Sequence, residues 1–240
     1  MIHTLFIVIW TFLVTVFFAI AAILASLFGS GGNAPHIVAR IWARSLLFAS
    51  RIRVTVKGLS NIDPKRSFIY MSNHQSNFDI PVLLAYLPVQ FRWIAKNELF
   101  KIPIFGYAMK RAGYISIDRS GRKSTLQSIR NAAEIIRNGV SVIIFPEGTR
   151  SQDGNLKSFK NGGFVLAVDS GVPIIPIIIH GTWQIMSKNQ LRIKPGRVLL
   201  EIQKPVESSN FSRKTKNDLL EKVRQIISDG LEEERKNTSC

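Results

Sequence analysis

The sequence predicts an α/β protein, with a mixed, largely parallel sheet flanked by helices and an N-terminal hydrophobic helix pair in front of it. Three observations carry that expectation. From about residue 54 onward, short apolar runs alternate with helix-period segments, the pattern of strand–helix units. One run, Val142-Ile143-Ile144-Phe145, is continuously apolar, as a strand covered on both faces should be. Finally, residues 1–39 contain no Asp, Glu, Lys or Arg, although the 240-residue chain carries 32 basic and 16 acidic side chains. The first two observations describe a domain over residues 54–240. The third sets apart residues 1–53.

Residues 5–28 are apolar apart from Thr11, Thr15 and Ser26. As a helix this stretch reaches about 36 Å, against a hydrocarbon core of roughly 30 Å. No Lys or Arg precedes it, unlike a secretory signal peptide, so it reads as a membrane anchor. After Gly29-Ser30-Gly31-Gly32, a second helix is expected from His36 to about Ile52. It would carry Arg40, Arg44 and Arg51 on one side and Val38, Trp42 and Leu46 on the other. Such a helix suits the interface of an anionic membrane. Two topologies stay open. A spanning first helix would leave the domain on the cytoplasmic face, as at a bacterial inner membrane or its equivalent; a hairpin in one leaflet would keep everything on one side.

Within the domain, strands are expected at 67–71, 92–95, 114–117, 140–145 and 174–180. Ser124 is expected to cap a helix carrying Leu126, Ile129, Ala133 and Ile136 and ending at Gly139. A shorter helix follows at 163–169. A longer amphipathic one, at 215–236, places Leu219, Val223 and Ile226 on its apolar side. Pro173 and Pro176 suggest that the 174–180 strand starts late or lies at an edge.

The formal net charge of +16 calls for a polyanionic partner, while 46% hydrophobic residues and a mean hydropathy of +0.12 exclude a disordered basic tail. The single cysteine, Cys240, excludes a disulfide framework or a cysteine metal site. Nucleic acid is not the expected partner, because Phe6, Trp10, Phe12, Phe17, Phe18 and Phe28 sit in the apolar stretch rather than among the basic residues.

Three stretches can carry chemistry. In Asn73-His74-Gln75-Ser76-Asn77-Phe78-Asp79, His74 and Asp79 would diverge by about 140° on a straight helix, yet they can meet at a strand-to-helix turn. Pro81 suits a first helical turn and makes Asp79 a natural N-cap, with a carboxylate oxygen left to orient the His74 imidazole. A plain cap beside an ordinary loop histidine fits the same spacing. In Phe145-Pro146-Glu147-Gly148-Thr149-Arg150-Ser151, a strand-end loop with Gly148, Thr149 and Arg150 can hold a phosphate, and Glu147 can fix Arg150 or a ligand hydroxyl. A surface turn with a Glu–Arg pair is the bland alternative. The third stretch, Gly113-Tyr114-Ile115-Ser116-Ile117-Asp118-Arg119, lies in a basic region running from Arg92 to Lys123, and it offers Arg119 as a second phosphate ligand or merely as a solvated charge.

In this order, and with Val172-Pro173-Ile174-Ile175-Pro176-Ile177 as a fourth block, these stretches resemble the 1-acylglycerol-3-phosphate O-acyltransferases, the lysophosphatidate acyltransferases of phospholipid synthesis. The likeness covers about residues 54–205. It implies transfer of a fatty acyl group from an acyl-CoA or acyl-carrier-protein thioester to the sn-2 hydroxyl of lysophosphatidate, giving phosphatidate. It further implies His74 as general base and Asp79 as its orienting partner. Glu147, Gly148, Thr149, Arg150 and Arg119 would bind the glycerol phosphate. No metal and no cofactor beyond the thioester are expected. A related acyltransferase acting on glycerol 3-phosphate or another lysolipid, a hydrolase, and a lipid-binding protein are the alternatives. Direct attack on a thioester needs a base and oxyanion donors rather than an enzyme nucleophile, and the chain has no G-x-S-x-G elbow. Lys96 and the backbone N–H groups of the His74 turn are the candidate oxyanion donors.

Overall fold

The computed structural model describes residues 2–29 and 31–239, with side chains through Lys236. Cys240 lies outside the described residues. Helix α1, Ile2–Ala25, forms where no Gly, Pro or charged residue interrupts the apolar run. Helix α2, Asn33–Ala49, starts before the expected position with Pro35 in its first turn, where a missing N–H leaves no bond unmade. It also ends early. Arg51 lies beyond the helix with φ +55°, so it does not share the stripe of Arg40 and Arg44, and it leads directly into strand β1, Ile52–Lys57.

The chain continues through β2 (Ile69–Ser72), α3 (Asp79–Tyr86), β3 (Arg92–Lys96), α4 (Phe105–Arg111) and β4 (Ile115–Ile117). Then come α5 (Arg122–Arg137), β5 (Val142–Ile144), α6 (Gly162–Ser170), β6 (Ile174–His180), a single turn α7 (Thr182–Ile185), β7 (Gly196–Ile202) and α8 (Lys216–Ser239). The sheet order is β1-β7-β6-β2-β5-β3-β4, and every pairing is parallel except β6 with β7. The mixed, largely parallel sheet is therefore as expected. β1 and β7 were not expected, because Arg53, Thr55 and Lys57 in one and Arg197 and Glu201 in the other dilute their apolar pattern. β1 also begins just before the expected boundary at residue 54.

Strand alternation sorts the core into two layers. Tyr70, Ile143, Ile175 and Ile177 face α2 and α3, where Ala43, Leu47, Val82 and Leu83 receive them. Ile69, Met71, Val142, Ile144 and Ile178 face α5, α6 and α8 across Ile129, Phe164, Leu219 and Val223. On α8 it is Ile227, next to the expected Ile226, that is fully buried. β6 is an interior strand despite its prolines. Its ladder with β7 begins only at Ile177, and Pro176 needs only to accept the Gln203 N–H at 2.9 Å. Ser124 sits in the first turn of α5 rather than at its cap, with its hydroxyl accepting the Gly121 N–H.

α1 lies along the domain. Ile7 belongs to the main core, Trp42 Nε1 donates to Thr15 Oγ1 at 3.0 Å, and Trp10 Nε1 donates to Ser45 Oγ at 3.2 Å. Both ends are held. Thr4 Oγ1 accepts the Ile193 N–H, and Arg111 Nε donates to Ser26 Oγ at 2.7 Å. The opposite face is apolar and open, with Phe12 69% and Phe17 65% exposed. By length and composition α1 could cross a membrane.

Candidate active site

The C-terminal ends of β2 and β5 are neighbours in the parallel sheet, so the loops leaving them converge. This is where a sheet of this kind binds ligands. The loop after β2 carries His74, and α3 begins at Asp79. In this turn His74 Nδ1 lies 2.7 Å from Asp79 Oδ2, and the same oxygen accepts the N–H groups of Gln75 and Ser76 at 2.7 and 2.8 Å. An oxygen already accepting two backbone protons meets Nδ1 as a further acceptor. Nδ1 is therefore the nitrogen that donates to Asp79, and Nε2 is the one left facing away from it. The carboxylate thus folds back on the turn that precedes it and makes no cap bond to its own helix, contrary to the N-cap expectation. Asp79 is fully buried, and its Oδ1 has no protein partner.

The loop after β5 completes the setting. Phe145 stacks on the His74 ring at 3.8 Å between centroids. Glu147 is buried, and its two oxygens accept the His74 N–H at 2.7 Å and the Lys157 N–H at 3.0 Å. Each oxygen is engaged by a backbone N–H and Glu147 does not line the cavity, so its partners in the structure are backbone groups rather than Arg150. Glu147 holds the backbone of His74. Burial, reinforced by the nearby Asp79 charge, pushes its carboxyl up to about 7, against the pull of the two backbone bonds. Ser151 N–H donates to His74 O at 2.8 Å and closes the two loops on each other. Between them, Gly148 has φ +72°, a conformation natural to glycine, and a side chain there would press on Lys160.

His74 opens into a cavity of about 390 Å³. Its polar end is lined by His74, Gly148, Thr149, Arg150, Arg119 and Lys96. Arg150 Nη1 is buried without a protein partner, while Arg119 is exposed. A buried guanidinium nitrogen with no acceptor is a ready donor for an anionic oxygen. Of the expected site residues, His74, Gly148, Thr149, Arg150 and Arg119 line one cavity, while Asp79 and Glu147 stand behind His74. Two lysines stand next to this group without lining the cavity: Lys188 Nζ is 3.4 Å from Thr149 Oγ1, and Lys160 lies beside Gly148. Lys188 lies in the loop between α7 and β7, with nothing in its local sequence to connect it to the site. Lys160 stands ten residues after Arg150 in a second basic run, Lys157 to Lys160, which was the one available signal.

The N–H groups of His74, Gln75 and Ser76 are all taken by carboxylates, so they cannot serve an oxyanion. Lys96 in the cavity wall remains of the expected donors. Arg92, counted in sequence among the basic residues of this region, is a buried clamp. Its guanidinium donates to Gly31 O and Asn33 Oδ1, each at 2.6 Å, and ties the start of α2 to β3. Burial and the Arg92 charge bring the neighbouring His36 down to about 3, so that imidazole is neutral.

Beyond the polar end, the cavity is apolar. Phe18, Ala19 and Ala22 of α1, Trp42 of α2, and Ala108 and Met109 of α4 wall it in.

Comparison with known proteins gives the family. The acyltransferase family profile matches residues 53–180, more than half of the chain. A chloroplastic 1-acyl-sn-glycerol-3-phosphate acyltransferase of Arabidopsis thaliana is 38% identical over 176 residues, which are 72% of this chain and 49% of that protein. The alpha 1-acyl-sn-glycerol-3-phosphate acyltransferase of Mus musculus is 34% identical over 75% of this chain and 67% of its own length. The chain thus spans about half the length of the plant relative and two thirds of the mouse one. The crystal structure of the 1-acyl-sn-glycerophosphate (LPA) acyltransferase from Thermotoga maritima superposes with a TM-score of 0.83 at 32% identity, covering 98% of this chain and 95% of that one. On this shared profile, these relatives and this common fold, the chain belongs to the acyltransferase family, alongside the 1-acyl-sn-glycerol-3-phosphate acyltransferases.

Proposed function

We propose that the protein transfers a fatty acyl group from an acyl thioester to the sn-2 hydroxyl of 1-acyl-glycerol 3-phosphate, forming phosphatidate. The observation that carries the reading is the His74–Asp79 pair at the junction of a cationic pocket and an apolar channel within one cavity. A phosphate on Arg150, assisted by Arg119, Lys160 and Lys188, would bring the glycerol hydroxyl to His74 while acyl chains occupy the apolar part. His74 Nε2 takes the hydroxyl proton as the oxygen attacks the thioester carbonyl. Asp79 stabilises the imidazolium that results, and the tetrahedral oxyanion collapses with loss of thiolate. The imidazolium proton then passes to the thiolate, so the base is restored and the thiol leaves. No covalent enzyme intermediate is needed.

The same reading places the protein at an anionic membrane. α1 offers its open apolar face, and α2, bonded to α1 through Trp42 and Ser45, carries the cations Arg40 and Arg44. Because Ile193 and Arg111 hold opposite ends of α1, a helix lying in one leaflet suits the contacts better than a spanning one.

The test is a purified assay offering lysophosphatidate and glycerol 3-phosphate, each with acyl-CoA and with acyl carrier protein as donor. Phosphatidate formed from lysophosphatidate is the expected product. Acylation of glycerol 3-phosphate alone, or free fatty acid without acylated lipid, would replace this reading by a different acceptor or by hydrolysis.

A further inference from the structure

A second stretch of exposed apolar surface lies far from α1 in sequence. Across a 3₁₀ turn, Asn97–Lys101, and the start of α4, the residues Leu99, Ile102, Ile104 and Tyr107 all stand exposed. Ile104 is 45% exposed and has φ +61° and ψ −61°. The Phe105 N–H donates to Pro103 O at 2.6 Å, closing a three-residue γ-turn of the rare positive-φ kind. A β-branched side chain is poorly suited to that backbone, and glycine would relax it. An outlier of this kind, holding an isoleucine out in solvent, asks for a function that uses the side chain.

Its surroundings say what kind. Lys96, Lys101, Lys110 and Arg111 flank the segment, against one acid, Glu98. α4 packs on α1 through Ala108 against Ala19 and Ala22, so the turn that leads into α4 lies close to α1. Leu99, Phe105 and Met109 line the cavity from within, and Phe18, Ala19 and Ala22 line it from the α1 side.

We propose that Ile102-Pro103-Ile104 is a second membrane-contacting element, a wedge that enters the acyl boundary of an anionic bilayer next to α1. With α1 it brackets the cavity, so that a lipid can pass between bilayer and site. Exposed aliphatic side chains ringed by lysines are the composition of a membrane-interface element, in which the lysine heads stay at the phosphates. This inference rests on the membrane reading given above, but not on the identity of the acceptor.

The experiment uses the full chain with Cys240→Ser and one new cysteine at a time: Ile104→Cys, Phe12→Cys on α1, or Arg130→Cys on the exposed side of α5. Each is labelled with a polarity-sensitive fluorophore and mixed with vesicles of phosphatidylglycerol and phosphatidylcholine containing a brominated lipid. Quenching at positions 104 and 12 but not at 130 is expected. Quenching at 12 without quenching at 104 overturns the wedge alone, whereas no quenching at either overturns the membrane reading with it. Shielding at 104 without vesicles, together with doubled mass in detergent, would assign the patch to a second copy and overturn the proposal. As a second measurement, Ile102→Asp with Ile104→Asp should slow acylation of vesicle-borne lysophosphatidate about tenfold. The same variant should leave a short-chain, water-soluble acceptor unaffected, and equal loss on both would count against the wedge.

Discussion

The two ends of the cavity are built on different principles. At the polar end, hydrogen bonds fix each group. His74 is held by Asp79 at its ring, by Glu147 at its N–H and by Ser151 at its carbonyl. At the apolar end, Phe18, Ala19 and Ala22 of α1 meet Ala108 and Met109 of α4, with no polar bond among these side chains. Hydrogen bonds have narrow geometry, whereas dispersion contacts tolerate small shifts. Substitutions at the polar end should therefore abolish or misdirect the reaction, and those at the apolar end should only re-tune which chains fit.

The sharpest contrast is expected at the base itself. His74→Ala removes the proton acceptor and should lower kcat by about 10³-fold, within the range for general-base catalysis. Its melting temperature should barely change, since the lost contacts are chiefly the Phe145 stack and the Asp79 bond. Wild-type turnover in a folded His74→Ala protein would break the proposed mechanism. Asp79→Ala should slow turnover by about 10²- to 10³-fold through loss of the fixed tautomer. It should also lower stability, because the buried N–H groups of Gln75 and Ser76 lose their acceptor, at about 1–3 kcal/mol each. A Tm lowered in Asp79→Ala but not in His74→Ala would separate the structural from the chemical work of the pair.

Glu147 tests whether positioning alone matters. Glutamine offers one acceptor oxygen where two backbone N–H groups need one each, so Glu147→Gln should shift His74 and cost about 10- to 100-fold in kcat with little change in KM. The same residue gives stability a pH slope. Its carboxyl is raised from 4.5 to about 7 in the folded chain, so the folded state holds its proton more tightly than the unfolded state does. The contribution is full below about pH 4.5 and is lost as pH rises through about 7. Thermal melts of the native protein and Glu147→Gln across that window should differ in slope, and parallel curves would remove Glu147 as the titrating group.

Much of this polar end was legible before any coordinates. The spacing of His74 and Asp79 across a strand-to-helix turn, and the Gly148-Thr149-Arg150 loop after an apolar strand, pointed to residues that the fold brings together. The role of Glu147 was not legible, because its partners are backbone N–H groups brought in by folding rather than side chains with a sequence signature. Arg92 misled for a similar reason, since a buried arginine clamping backbone carbonyls reads in sequence like any surface cation. β1 and β7 were missed because each carries charged residues through a half-covered strand at or next to the sheet edge, where alternation is diluted. The apolar end of the cavity was out of reach in a different way. Small residues such as Ala19, Ala22 and Ala108 look like ordinary helix formers until two helices are seen to pack across them.

Arg150 stands between the two regimes. It binds rather than reacts, so Arg150→Ala should raise the KM for the phosphorylated acceptor about 10- to 100-fold, the worth of a charged hydrogen bond, and leave kcat nearly unchanged. A fall in kcat with unchanged KM would mean that Arg150 acts only in the transition state.

The smallest effect on rate is expected where the cavity is apolar. Ala22 is nearly buried against α4 and lines the channel. Ala22→Phe fills space without disturbing any hydrogen bond at His74. The rate with short acyl thioesters should therefore change by no more than about twofold, while longer chains, which need the occluded volume, should lose about 1 kcal/mol for each methylene excluded. Competition between short and long acyl donors in a single reaction measures that ratio directly. A uniform loss across all chain lengths would instead mean that the helix packing reaches His74 mechanically, and the division between a rigid polar end and a tunable apolar end would have to be given up.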